Sequence, residues 1–429
     1  MLLKLKKIFT TDLVKVSSLN AVATLIRMMT GFISVKIVAV LIGPSGVALL
    51  GQLNNFSSIL LNISAGGINN GVTRHVAQYA DSPRKYSLLL STAFRITLVL
   101  STICGLVIIL AAGYFSESIL KDIRYKSIFY IFGATIILYA LNALLVAVIN
   151  GFKEFKKYVT VNIAGSFIGV LFTISLSVPF GVYGALVALV TYQSVIFLVT
   201  LSLVTKSPWF KWKVFFGGFS KTIAIKLGHF SLMALASAIL MPTGQLFIRN
   251  FITVHESLGS AGLWEGLNRI STMYLMVITT SFSVYYLPRL SGLKTDREIR
   301  NEVFWVYKFL VPFLSVTLLL IYLFRNIIIH ILFNNRFIGM GDLFAYQLVG
   351  DFFKMATWVL GYLFLVKTMT RFYILMELAG SSLYVVLSFF FIKQYGTIGA
   401  SMGFCLAYFI IFIVHAFIFR KLLFANERS

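Results

Sequence analysis

The chain has 429 residues, of which 59% are hydrophobic and only 12% charged, against roughly 25% charged in an ordinary soluble domain. That composition excludes a water-facing surface and makes lipid the solvent. The net charge of +23 would fit a nucleic-acid binder if it formed a basic surface, but Lys and Arg collect between apolar runs, so the charge belongs to membrane topology.

Apolar runs of about 20 residues, the length a helix needs to cross hydrocarbon, recur along the whole sequence. Lys4, Lys6, Lys7 and Lys15 precede the first run with no small-residue cleavage site, so this run is expected to stay as an anchor. Spans are predicted over 17–41, 47–71, 88–114, 127–149, 159–178 and 185–204, then over 227–247, 263–287, 304–323, 343–366, 372–392 and 400–419. Breaks fall at Gly43-Pro44, Asn150-Gly151, Pro179, Pro288 and Gly396, residues that end helices. Between the halves, residues 206–226 interleave Lys211 and Lys213 with Trp209, Phe210, Trp212, Phe215 and Phe216. Such a pattern can bind single-stranded nucleic acid; beside membrane spans it reads as a cytoplasmic linker at headgroup level.

Placing both termini and the even-numbered loops on one side collects about 24 Lys and Arg there, against about 7 opposite. Cytoplasmic loops retain positive charge, so both termini are expected inside a bacterial inner membrane, with an even number of crossings. Leu53-Asn54-Asn55-Phe56-Ser57-Ser58 resembles Leu267-Asn268-Arg269-Ile270-Ser271-Thr272, and Phe180-Gly181-Val182-Tyr183-Gly184-Ala185 resembles Tyr395-Gly396-Thr397-Ile398-Gly399-Ala400. The two offsets are nearly equal, which marks an internal repeat. Six spans separate the copies, so they share one orientation. The fold class expected is all-α and polytopic: about twelve transmembrane helices in two parallel six-helix lobes, 1–205 and 227–429, around a central cavity.

Lys and Arg are costly near the bilayer centre, so those retained should face water or a partner. Arg27 and Lys36 lie in the first span, Arg95 in the third, Arg269 in the eighth, Lys308 in the ninth and Lys354 in the tenth. Only Glu265, Asp351 and Glu377 oppose them. Glu265 with Arg269, and Asp351 with Lys354, share helical faces and can neutralise themselves; the functional alternative is ion coupling through Asp351 and Glu265. Arg27 has no acid three or four residues away and shares its face with Thr24, Gly31 and Ser34, which points to a cation lining a cavity. Lys36, Arg95 and Lys308 can also snorkel. The basic excess suits an anion, a diphosphate above all. Gln52, Asn54, Asn55, Asn62, Asn69 and Asn70, placed on the second span, can hydrogen-bond sugar hydroxyls or hold helices together.

No phosphate-loop motif appears, and His75, His229, His255, His330 and His415 are scattered without metal-ligand spacing. Cys104 and Cys405 lie inside apolar runs and read as inert. Neither cofactor, metal nor catalytic group is expected, and the short outer loops argue against a glycan polymerase. A cation-drug exporter should carry unpaired acids where this chain carries bases.

Several runs resemble the Wzx-type O-antigen and lipid-linked oligosaccharide flippases of the multidrug, oligosaccharidyl-lipid and polysaccharide exporter superfamily, and most of all the enterobacterial common antigen flippases. They are Gly43-Pro44-Ser45-Gly46, Asn70-Gly71-Val72-Thr73-Arg74 with Ala77-Gln78-Tyr79, Ser281-Phe282-Ser283-Val284-Tyr285-Tyr286-Leu287-Pro288, and Asp342 to Asp351 followed by Lys354 and Arg371-Phe372-Tyr373. The resemblance implies a transporter and not an enzyme, moving an undecaprenyl-diphosphate-linked O-antigen repeat unit from the cytoplasmic to the periplasmic leaflet by alternating access. The common antigen lipid III unit is the alternative cargo, and the glycan polymerase machinery a possible partner. It also places Arg27, Lys36 and Lys354 at basic cavity positions. With these, Arg95, Arg269, Asn54 and Asn55 complete the expected substrate-binding set.

Overall fold

The computed structural model describes residues 12–293, 295–367 and 369–424. Lys4, Lys6 and Lys7, on which the expected N-terminal anchor partly rests, lie outside the described residues. The described residues form helices joined by turns, without a strand: α1 (Asp12–Ser64), α2 (Asn69–Tyr79), α3 (Pro83–Leu110), α4 (Ala112–Leu120), α5 (Lys126–Gly151), α6 (Phe155–Val204), α7 (Lys221–His255), α8 (Leu258–Ser281), α9 (Leu287–Gly292), α10 (Asp296–Leu323), α11 (Arg325–Leu332), α12 (Phe344–Val366), α13 (Thr370–Tyr395), α14 (Ile398–Ile418) and α15 (Arg420–Phe424).

Two of these are double crossings. Helix α1 breaks at Gly43, whose φ of 67° is left-handed, and α6 breaks at Gly181 with φ 55°, at or beside the Gly-Pro and Pro signals. With α3, α5, α7, α8, α10, α12, α13 and α14 they make up the twelve expected crossings of a multi-pass membrane protein. The surface is correspondingly apolar, with Leu110, Leu171, Phe313 and Leu323 more than half exposed; lipid covers such side chains at no cost.

The chain divides into two compact units. The first reaches up to Leu41 and resumes over Leu49–Pro242; the second joins Ile42–Ala48 to the chain from Thr243 onward. In the first, α3, α5 and α6 pack around Leu89, Leu90, Ala93, Leu144 and Val148, and the basic-aromatic segment adds Trp209, Val214 and Phe215 to the same core. Trp209 stacks on Phe152 at 4.7 Å, while Lys157 donates to Ser207 at 2.6 Å and Ser207 to Glu154 at 2.7 Å. Residues 206–216 are thus folded against the first unit and not merely strung beside it. In the second unit α14 packs against both α12 and α13, and α12 against α10. Helix α10 begins on a capping box of Thr295 and Glu298.

Several expected boundaries shift. The second span was read through Gly71, but α1 ends at Ser64, where Gly66 and Gly67 adopt φ of 67° and 62°. Asn69 and Asn70 therefore belong to α2, which packs on α5 with Thr73 donating to the Ala147 carbonyl at 3.0 Å. Pro288 does not end its helix. A five-residue π-turn, Phe282–Tyr286, precedes it and α9 continues to Gly292, because a π-turn absorbs the backbone bond that proline cannot make. Helix α7 runs eight residues past the expected end at 247.

The internal repeat is visible in the backbone. Gly181 has φ 55° and ψ −130°, and Gly396 has φ 64° and ψ −146°. Three residues on, a Cβ at Gly184 would lie 1.8 Å from the Leu176 carbonyl oxygen, and one at Gly399 would lie 2.3 Å from that of Phe391. Each corner folds one helix back so tightly that only hydrogen fits. Gly184→Ala and Gly399→Ala are each expected to destabilise by about 3 kcal/mol, the upper end for overpacking, since backbone must move. A melting temperature in detergent unchanged from the native chain would refute this.

Candidate functional site

The second unit holds a buried polar group built from α8 and α12. Ser271 donates to Asp351 Oδ2 at 2.7 Å, and the Tyr274 hydroxyl donates to the same oxygen. Their spacing of three brings both onto one face of α8. Gln347 stands one turn before Asp351 on α12, and its side chain approaches the same carboxyl group. Asp351 is 0% exposed and Gln347 1%. Asp351 Oδ1 and Gln347 Oε1 are buried without a hydrogen-bond partner among the described residues. Buried acceptors are normally satisfied, which sets these two oxygens apart in an apolar interior.

Asp351 and Lys354 do not pair. The Lys354 ammonium lies 5.7 Å from the centroids of Phe404 and Tyr408 on α14, and no carboxylate of the described residues is within ion-pair distance of it. Aromatic faces hold a cation weakly and leave its protons available.

A second cluster joins α7 to α8. Arg269 Nε donates to Glu265 Oε1 at 3.0 Å, and Arg249 donates to Oε2 of the same carboxylate. Arg249 is 2% exposed and its guanidinium sits over the Trp264 ring at 5.5 Å. The i, i+4 pair expected of Glu265 and Arg269 is present, but the sequence reading missed its larger half: Arg249, counted with an outer loop, is an interior residue of α7. The run Phe251-Ile252 after it was the available signal that the helix continued. Gln347, four residues before Asp351, was equally legible; Ser271 and Tyr274 come from a different helix and needed the fold.

In the first unit, Arg27 is exposed and its Nη2 donates to Asn162 Oδ1 at 3.0 Å. No carboxylate of the described residues pairs with it. An arginine at mid-span is costly in hydrocarbon. Lys36 is half-buried, nearer the end of the same span. Asn54 is exposed, whereas Asn55 and Gln52 are buried at 7%. Asn62 is turned to the Ser58 carbonyl at 2.8 Å. Arg95 Nη2 donates to the Gly217 carbonyl at 2.7 Å, beside Ser91 and Gly218 at 2.7 Å, which supports a tether for residues 206–220. Lys308 is exposed on α10. The structure thus brings Glu265 to Arg269 but assembles no single basic cluster within either unit. No group of three or more His, Cys, Asp or Glu able to hold a metal occurs among the described residues.

A family model described as Polysaccharide biosynthesis protein matches residues 13–294. The Lipid III flippase of Escherichia coli (strain K12) is 33% identical over 402 residues, covering 94% of this chain and 96% of that protein, as is the Lipid III flippase of Shigella flexneri. Among solved structures, an inward-facing multidrug resistance MATE family transporter of the MOP superfamily gives a TM-score of 0.79 at 13% identity, over 94% of this chain and 100% of that one. A MOP superfamily transporter from Pyrococcus furiosus, whose binding pocket is described as having reverse polarity, gives 0.69 at 13% identity, over 96% and 97%. At such identity these two show the fold alone. The kinship read from the sequence motifs is borne out, and the chain belongs to the polysaccharide biosynthesis protein family.

Proposed function

We propose that this protein is a flippase that carries an undecaprenyl-diphosphate-linked oligosaccharide, an O-antigen repeat unit, from the cytoplasmic to the periplasmic leaflet of the bacterial inner membrane by alternating access. One observation carries the reading: Arg27 is an exposed cation in the middle of a membrane span, with no carboxylate of the described residues paired to it, which supports a water-filled pathway for an anion. In the first unit, Arg27 and Lys36 offset the diphosphate, and Asn54 meets sugar hydroxyls. Coupling runs through Asp351, whose Oδ1 is buried without a hydrogen-bond partner among the described residues, which supports it as the atom that takes up and releases a proton. Glu265, the other candidate, already has two guanidiniums on its two oxygens, which supports a structural role for it and for Arg269. The loop charge bias supports cytoplasmic termini, and moving Arg249 out of the outer loops strengthens it.

The names of the 33% identical relatives favour a second reading, in which the cargo is a lipid III unit. Mass spectrometry of the lipid-linked sugars that accumulate when the protein is depleted decides between them. No accumulation of any prenyl-linked glycan would reject both.

Arg27→Ala is expected to lower surface glycan at least about tenfold, the loss of one charge-assisted contact, while Arg27→Lys retains most export because charge matters there more than fork geometry. Undiminished export by Arg27→Ala at native protein level would remove it from the pathway.

A further inference from the structure

Helices α10 and α12 pack antiparallel in the second unit, with Tyr307 donating to the Ala356 carbonyl at 2.7 Å near one end. Toward the other end they part and leave a groove of about 450 Å³, within the roughly 300–1,000 Å³ range of small-molecule sites. Leu318 and Leu348 form its floor, and Leu319, Tyr322, Val349 and Phe352 its walls. Both helices span the membrane, so this groove opens on hydrocarbon. Its occupant is therefore a hydrocarbon chain and not a peptide or a soluble ligand.

At the mouth stands one cation. Arg325 donates from Nη1 to the Tyr322 carbonyl at 2.9 Å and stacks its guanidinium on the Tyr322 ring at 4.3 Å. That ring is itself a groove wall. No carboxylate of the described residues pairs with Arg325, so it is positioned by neutral groups, with donors left for an anion. An apolar slot ending in an oriented guanidinium is complementary to a lipid with an anionic head.

We infer that this groove binds the isoprenoid chain of the transported lipid, with its diphosphate against Arg325. The inference rests on the flippase reading above. On the proposed topology the Tyr322 end of α10 is periplasmic, so the site receives the lipid after translocation, before release into the outer leaflet. Membrane lipid competes for any apolar slot, because hydrocarbon gains little by moving from lipid to a lipid-like wall. Selectivity must come from the head contact and from shape. An isoprenoid chain has one unrotatable double bond in every four backbone carbons, and so fewer torsions to fix on seating among aromatic and branched walls than a saturated acyl chain of equal length.

The test uses the full chain in proteoliposomes with undecaprenyl diphosphate carrying a photoreactive group on its isoprenoid chain, and photoreactive phosphatidylglycerol as a parallel probe. The prenyl probe should label peptides of α10 and α12, with displacement by unlabelled undecaprenyl diphosphate and not by excess phosphatidylglycerol. Arg325→Ala should cut that labelling at least about tenfold, the cost of one contact to a charged group. Val349→Trp, which fills the groove from an exposed position without touching Arg325, should do the same at unchanged melting temperature. Equal displacement by phosphatidylglycerol would make this an ordinary lipid contact and overturn the inference. So would labelling confined to other peptides while the protein still translocates lipid-linked glycan. If instead no peptide is labelled and depleted cells accumulate no prenyl-linked glycan, the flippase reading itself has failed.

Discussion

Asp351→Asn is expected to reduce glycan export about a hundredfold or more while leaving the protein as stable as the native chain, or more so. The asymmetry follows from which atoms lack partners. Ser271 and Tyr274 already donate to Oδ2, and an asparagine carbonyl at that place accepts the same two bonds. Its amide then stands where Oδ1 is buried without a partner, with no charge to bury. A neutral amide costs less to bury than an ionised carboxylate, so the fold keeps its stability or gains. What is lost is reversibility, since an amide cannot release the proton that a coupling group must exchange between the two sides. Loss of one essential proton-exchange group is taken as at least about 3 kcal/mol, or two decades. Surface glycan is the readout for transport and detergent melting temperature the readout for stability. Native export by Asp351→Asn would refute the coupling role, while a large fall in melting temperature would mean that Asp351 is structural.

Glu265→Gln is expected to have the largest effect on stability, about 3–5 kcal/mol, because it removes the buried carboxylate charge shared by Arg249 and Arg269. Arg249 is 2% exposed, and neither the Trp264 ring nor an amide oxygen replaces a carboxylate shared by two guanidiniums. Breaking a buried pair costs more than the pair ever contributes, and removing it whole is far milder. The double substitution Arg249→Met with Glu265→Leu is thus expected to recover most of the loss in melting temperature. If Glu265 were instead a coupling group, Glu265→Gln would melt like the native chain with export abolished, and that result would reverse the roles assigned to the two carboxylates.

These contrasting expectations come from one difference between the carboxylates that only packing reveals. In sequence, Glu265 with Arg269 and Asp351 with Lys354 look alike, each an acid within one turn of a base. Helical spacing says which residues can meet and not which do. In the folded unit Glu265 meets its base and a second one from α7, whereas Asp351 is turned to Ser271 and Tyr274 on α8 while Lys354 is turned to the rings of α14. Asn55 and Arg95 illustrate the same limit. Both are polar groups at membrane depth, yet one is buried and the other holds the Gly217 carbonyl.

What the sequence determined by itself was everything set by lipid as solvent. Twelve crossings, their breaks at Gly43-Pro44, Pro179 and Gly396, the charge bias of the loops and the doubling of the chain all follow from a backbone that must bond to itself in hydrocarbon, and each leaves a local mark in composition. The equal corners at Gly184 and Gly399 were present as a repeat before their geometry was known. What only the tertiary structure decided was the partner of each polar group in that interior: the clamp on Glu265, the unpartnered oxygens of Asp351 and Gln347, and the slot between α10 and α12 under Arg325. The reason is physical. Hydrophobicity is a sum over a segment and can be read from one strand of text, whereas a buried hydrogen bond is a distance between atoms on different helices, set by packing that no single segment encodes.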